Sequence, residues 1–174
     1  MNYRTEQKEA FIIAGYTQEM KKIEQDENFY EISNIWSNLT EEKINQLMAV
    51  TDGTLQGLLG VSDSNKSQKQ YRYMIGMNKK QDQTTLDELA ETQFPVTKWV
   101  IFECIGAISA GVKALAKDQP FEPNVLMRLK QNTHAPWADW EIRENIEIPR
   151  IELYPFGDME ADDYKCELWI PIID

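Results

Sequence analysis

A single histidine in 174 residues, His134, rules out a metal centre built on several imidazoles, and no serine, histidine and carboxylate triad stands out. The two cysteines, Cys104 and Cys166, form no close-spaced metal motif. Each lies in an apolar strand pattern, as a buried thiol of a reducing compartment would, with a disulfide between them as the alternative. Glycines near Gly57 to Gly60 and Gly106 to Gly111 are too sparse for a phosphate-cradling loop, which disfavours nucleotide chemistry. No apolar run reaches membrane length, and Met1 to Glu6 contain no basic segment followed by an apolar one, so the expectation is a cytoplasmic protein with no membrane partner. Basic residues are also scarce, 18 against 29 acidic, and the net charge of −11 repels phosphate backbones. Nucleic acid is therefore not expected as a partner. The acidic excess is spread over Glu24 to Glu27, Glu88 to Glu91 and Asp158 to Asp163, the pattern of a solubilising surface rather than of one motif.

What is present is enough for one domain with a proper core and no cofactor to complete it. Lys8 to Thr17, holding Phe11-Ile12-Ile13-Ala14-Gly15-Tyr16, reads as a strand. Phe29, Ile32, Ile35, Trp36 and Leu39 then recur at helical spacing after a candidate cap at Asn28, and a second helical piece from Glu41 to Met48 continues or restarts at Thr40. Gly53 to Val61 and Tyr71 to Met77 read as a strand pair around the polar loop Ser62 to Lys69. After a polar helical or turn segment, Thr84 to Glu91, the order repeats. Phe94 to Cys104 is a strand, Ala107 to Lys117 and Asn124 to Lys130 are helical, and two strands close the chain. The economical description is an α+β domain over 1–174 made of a duplicated strand-helix-strand-strand module, with pseudo-repeats at about 8–80 and 94–174.

The closing strands carry the most information. Ile151-Glu152-Leu153-Tyr154-Pro155 and Tyr164-Lys165-Cys166-Glu167-Leu168-Trp169-Ile170-Pro171 alternate. One face would hold Ile151 and Leu153 with Cys166, Leu168 and Ile170 as core. The other would gather Glu152, Tyr154, Glu167 and Trp169, a mixture of charge and aromatic rings suited to the floor of a ligand cleft.

That closing pattern, with Gly157-Asp158 between its strands, resembles the end of the GyrI-like superfamily, also called the AraC-type effector-binding domain. Shorter matches are Ala14-Gly15-Tyr16, Ile35-Trp36, Tyr73-Met74-Ile75-Gly76-Met77 and Trp99-Val100-Ile101-Phe102 before Gly106. The resemblance spans nearly the whole chain and implies a curved antiparallel sheet with helices on one side and a central ligand cleft. It further implies that the glutamate matching Glu152 lies at the base of the cleft, with aromatics matching Trp36, Tyr73 and Tyr154 lining it, and that bulky, often cationic, organic compounds bind there. No helix-turn-helix precedes the first strand, so the expectation is a stand-alone effector-binding domain. The relatives end an aromatic-rich helix in a tryptophan, a bulky residue and a proline; here the order is His134-Ala135-Pro136-Trp137-Ala138-Asp139-Trp140, which leaves the position of Trp137 and Trp140 open.

Strand glutamates are most often solvated, and a tryptophan on an amphipathic helix is most often core. Tyr154 beside Glu152 and the resemblance together favour a ligand-facing role for Glu152, and tip Trp36 and Tyr73 the same way. Trp99 and Phe102 have opposite parity in their strand, so at most one of them faces a given side. The candidate ligand-binding set is Glu152, Tyr154, Trp36, Tyr73, Trp140, Trp169 and Phe102, with no metal ligands. The expected partner is a small organic ligand, apolar and, on account of Glu152, cationic, captured for sequestration or sensing. Two rival functions follow from the resemblance: a hydrolase opening strained cyclopropane rings of DNA-alkylating genotoxins, with Glu152 as general base, and an inhibitor protein acting on a topoisomerase.

Overall fold

The apolar segments become eight strands and two helices in a computed structural model, which describes residues 2–21, 29–63, 70–108 and 143–173. The strands are β1 (Tyr3–Lys8), β2 (Phe11–Lys21), β3 (Gly57–Asp63), β4 (Gln70–Asn78), β5 (Ala90–Phe94), β6 (Thr97–Ile105), β7 (Arg150–Pro155) and β8 (Lys165–Ile172). The helices are α1 (Phe29–Ser37) and α2 (Glu41–Val50). Thr40 separates them as expected: its backbone is extended, and its hydroxyl accepts from the Lys43 N–H at 3.3 Å. Glu41 and Glu42 then sit at the positive end of α2, and Leu47 and Val50 turn inward onto the sheet.

All strands pair antiparallel in one sheet of order β1-β6-β8-β7-β3-β4-β2-β5. Read inward from either end, the sequence of roles is the same: β5, β2, β4, β3 from one side mirrors β1, β6, β8, β7 from the other. The duplication is therefore visible in the topology, with one addition. Each half begins with an extra strand that pairs with the opposite half, β1 on β6 and β5 on β2.

These leading strands force the sheet to curl. Only Glu9 and Ala10 link β1 to β2, and only Pro95 and Val96 link β5 to β6, yet each link joins strands near opposite ends of the order. Connections that short bring the two ends together. The ring of Phe94 in β5 accordingly lies 6.0 Å from that of Trp99 in β6, and Phe11 stacks on Phe94 at 4.9 Å. The inner face so enclosed is apolar: Ile13, Leu59, Val61, Met74, Phe94, Trp99, Ile101, Ile151, Leu153 and Trp169 are all buried. The outer face carries the helices.

Several sequence expectations are corrected. The strand read at Lys8 to Thr17 is β2, displaced toward the C-terminus, and β1 precedes it with an almost wholly polar sequence. Phe94 to Cys104 is two strands divided at Pro95, because proline cannot donate to a ladder, and the polar segment before it turns and then enters β5. The helix expected at Ala107 to Lys117 lies, beyond Ile108, outside the described residues, as do the one at Asn124 to Lys130 and the cap Asn28.

The register of the closing pair also differs. Ile151 pairs with Trp169, Glu152 with Leu168 and Leu153 with Glu167, so Trp169 belongs with Ile151 on the inner face and Cys166, Leu168 and Ile170 share the outer face with Glu152. A slip of one residue exchanges the faces of a strand. Alternation settles register only when one face is wet, and here both faces of β7 are buried.

Candidate functional site

Glu152 sits in the middle of β7, near the centre of the sheet, and only 5% of it is exposed. The registers place it in one row across the outer face: Phe102 of β6, Leu168 of β8, Glu152 of β7, Gly60 of β3, Ile75 of β4 and Tyr16 of β2. Gly60 is the gap in that row. Through it the Tyr73 side chain of β4 crosses β3, and its hydroxyl donates to Glu152 Oε2 at 2.9 Å. A β-carbon built on Gly60 would lie 2.2 Å from the Tyr73 hydroxyl oxygen and 2.8 Å from Glu152 Oε2, so no other residue fits without breaking the contact.

A second phenol comes from the same strand. Tyr154, two residues along β7 and on the same face, donates to Glu152 Oε2 at 3.1 Å. Above both lies Trp36 of α1, whose indole Nε1–H donates to the Tyr73 hydroxyl oxygen at 3.0 Å and whose ring meets that of Tyr154 edge-on, with centroids 5.0 Å apart. The result is a relay from indole to phenol to carboxylate.

Burying a carboxylate is costly unless hydrogen bonds replace its water. Each bond to a charged acceptor returns roughly 1.5–3 kcal/mol, so the two phenols offset a substantial part of that cost. Burial pushes both Tyr73 and Tyr154 well above the ordinary phenol range, and the charge of Glu152 adds to the shift. Both therefore stay protonated and remain donors. The arrangement can hold positive charge against a carboxylate already positioned by hydroxyl groups, with ring surface beside it.

Of the residues named from sequence, Glu152, Tyr154, Tyr73 and Trp36 come together. Phe102 shares the face and the row, separated from Glu152 by Leu168, and is fully buried. Trp169 does not join them. It lies on the inner face, 5.9 Å from Trp99 by ring centroids, and its indole N–H donates to Glu167 Oε2 at 2.7 Å. Trp140, with Trp137 and His134, is outside the described residues. Gly60 is the residue that sequence reasoning missed: judged only as a phosphate loop, it carried another signal, a glycine inside a strand, which marks close approach of another group. Among the described residues no group of three or more histidine, cysteine, aspartate or glutamate side chains could hold a metal ion, and no helix is long and apolar enough to cross a membrane.

A curled antiparallel sheet with helices on its outer face and a buried glutamate among aromatics is the architecture of a GyrI-like effector-binding domain. Residues 4–172 match the family of Cass2, integron-associated effector-binding protein, and the chain belongs to that family. Solved structures agree in fold. SAV2435, in a structure bound to tetraphenylphosphonium, is 20% identical with a TM-score of 0.77, over 99% of this chain and 94% of its own. A putative transcription regulation protein from Staphylococcus aureus MU50 is also 20% identical, with a TM-score of 0.75 over 100% and 99%. The integron cassette protein VCH_CASS2 from Vibrio cholerae is 12% identical, with a TM-score of 0.54 over 98% and 95%. No curated protein sequence matches the chain.

Proposed function

We propose that the protein binds a bulky apolar organic cation against Glu152 and acts by sequestering or sensing it. The observation that carries this reading is a carboxylate 5% exposed, held by the hydroxyls of Tyr73 and Tyr154 and flanked by the ring of Trp36. Membership of an effector-binding family and the likeness to a protein bound to tetraphenylphosphonium support it. A charge-assisted contact with Glu152 would supply roughly 1.5–3 kcal/mol. Each ring facing the cation adds about 0.5–2 kcal/mol. Micromolar affinity needs about 8 kcal/mol net, so apolar burial, at about 25 cal/mol per Å², must supply the rest. That requirement selects a large hydrophobic cation over a small hydrated one. Phe102, further along the row, would extend the apolar floor.

Two phenols already donate to Oε2, which suits the carboxylate to balancing a fixed charge better than to taking a proton from water. Hydrolysis by the same residue therefore stands second. The test is calorimetric titration with tetraphenylphosphonium, with triphenylphosphine oxide as an uncharged comparator. The parent should bind the cation with a micromolar constant and the oxide far more weakly. Glu152→Gln, folded by circular dichroism, should weaken the cation by roughly 10- to 100-fold, the equivalent of one charge-assisted bond. Equal affinity in parent and variant would overturn the proposal. Turnover of a cyclopropane electrophile by the parent and not by the variant would place the hydrolytic reading first.

A further inference from the structure

Cys104 of β6 and Cys166 of β8 stand directly opposite each other, both as buried thiols, 2% and 0% exposed. Their pairing type follows from the neighbouring ladder. The Gly106 N–H donates to the Tyr164 carbonyl at 2.8 Å, which makes 106 and 164 a hydrogen-bonded pair in continuation of the β6–β8 register. Such pairs alternate along an antiparallel ladder, so 104 and 166 form another. In pairs of this kind the β-carbons sit near the wide end of the ladder range, about 5.5 Å apart. A disulfide needs about 3.5–4.5 Å. A direct bond would have to pull the strands together; a bridge of one intervening atom would not.

The surroundings narrow the choice of bridging atom. The thiols lie in an apolar cluster with Phe102, Tyr154, Tyr164 and Leu168. One further step of the β7–β8 register sets Tyr154 across from Cys166, one row from Glu152. A hard ion would find too few donors among the described residues, whereas a soft centre that needs two sulfurs and brings its own apolar group finds both requirements met. We propose that Cys104 and Cys166 form a dithiol site for a trivalent arylarsenical. Two S–H bonds break and two As–S bonds form; the arsenic-bound oxygen leaves as water with the two thiol protons, and arsenic stays trivalent. The aryl group is directed toward Met159 and Ala161, the partly buried hydrophobic side chains that border the cluster. Arsenical binding is read separately from cation binding at Glu152, since a neutral arsenical is recognised by its bonds to sulfur and is detected by mass, although Tyr154 and Phe102 border both sites.

The test treats the reduced, native 174-residue chain with phenylarsine oxide. Intact mass should rise by one phenylarsenic unit per chain, less the two thiol hydrogens, and 2,3-dimercaptopropanol should reverse it. Cys104→Ala and Cys166→Ala should each lower retention of the arsenical by roughly 100-fold or more, the effective-concentration advantage of a second tethered thiol. A measurement that needs no variant guards against misfolding of either: the adduct should raise the melting temperature of the parent, because it bridges two strands of the folded sheet. The proposal is overturned if the native parent takes up no arsenical while the urea-unfolded reduced chain does, or if either single-cysteine variant retains it as well as the parent.

Discussion

The two faces of the sheet are both withdrawn from water, yet they are built on opposite terms. The inner face is a dry packing of Trp99, Trp169, Phe94 and aliphatic side chains, closed by the curl of the sheet itself. Two buried polar groups there, Trp99 Nε1 and Thr92 Oγ1, have no hydrogen-bond partner among the described residues. The outer face buries a carboxylate, two phenols and an indole, and these groups are bonded to one another. A packed apolar face can tolerate a stray donor; a buried charge cannot be treated that way and requires partners. The inner face is packing alone, whereas the proposed function draws on the outer face, which combines its own apolar clusters with the bonded group around Glu152.

Breaking the inner face should have the largest effect. Trp99→Ala should cost about 3–5 kcal/mol in urea unfolding, the range for deleting a large buried ring, while the fraction that stays folded keeps its affinity for tetraphenylphosphonium. Gly60→Ala attacks the outer face. The added methyl meets the Tyr73 hydroxyl, and the variant should lose about 1–3 kcal/mol of stability together with most of its cation binding, both followed on one sample by melting and titration. Loss of stability with binding intact would show that Tyr73 does not position Glu152.

Alkaline titration sharpens the contrast, because the phenols with resolved shifts at the site lie on the outer face. Tyr73 and Tyr154 are held well above the ordinary phenol value, and Tyr164, on the same face, is pushed up to about 12, in each case chiefly by burial. The folded chain keeps these protons after the unfolded chain has released them. Their contribution is complete below pH of about 10, the unfolded phenol value, and is lost as pH climbs through the folded values. Stability should therefore fall from pH of about 10 upward, and Tyr73→Phe should flatten that fall; tyrosinate absorbance and urea midpoints at stepped pH check both.

The smallest effect on binding is expected from Trp169→Phe. It removes an indole bond to the Glu167 carboxylate and part of a buried ring and should cost about 1.5–3 kcal/mol of stability, with cation affinity unchanged, since the ring lies on the inner face. A large drop in affinity would break the division between the faces.

That substitution also marks the limit of what the sequence makes legible. The strands around Glu152, the helix break at Thr40 and the meeting of Trp36, Tyr73 and Tyr154 with Glu152 could all be read from spacing and resemblance. Register could not: Cys166, Leu168 and Ile170 are as apolar as Ile151 and Leu153, and nothing in either strand says which set faces which. β1 was hidden for a different reason, being an edge strand whose alternation is almost wholly polar. Gly60 was visible but carried no meaning until the path of Tyr73 gave it one.

The exchange of leading strands has a consequence for how the halves depend on each other. Neither pseudo-repeat supplies its own rim: β1 completes the second, and β5 completes the first. A chain severed in the turn around Gln83 would leave two pieces, each with an unprotected border that only the other can cover. Such pieces should be poorly soluble apart and should recombine on mixing.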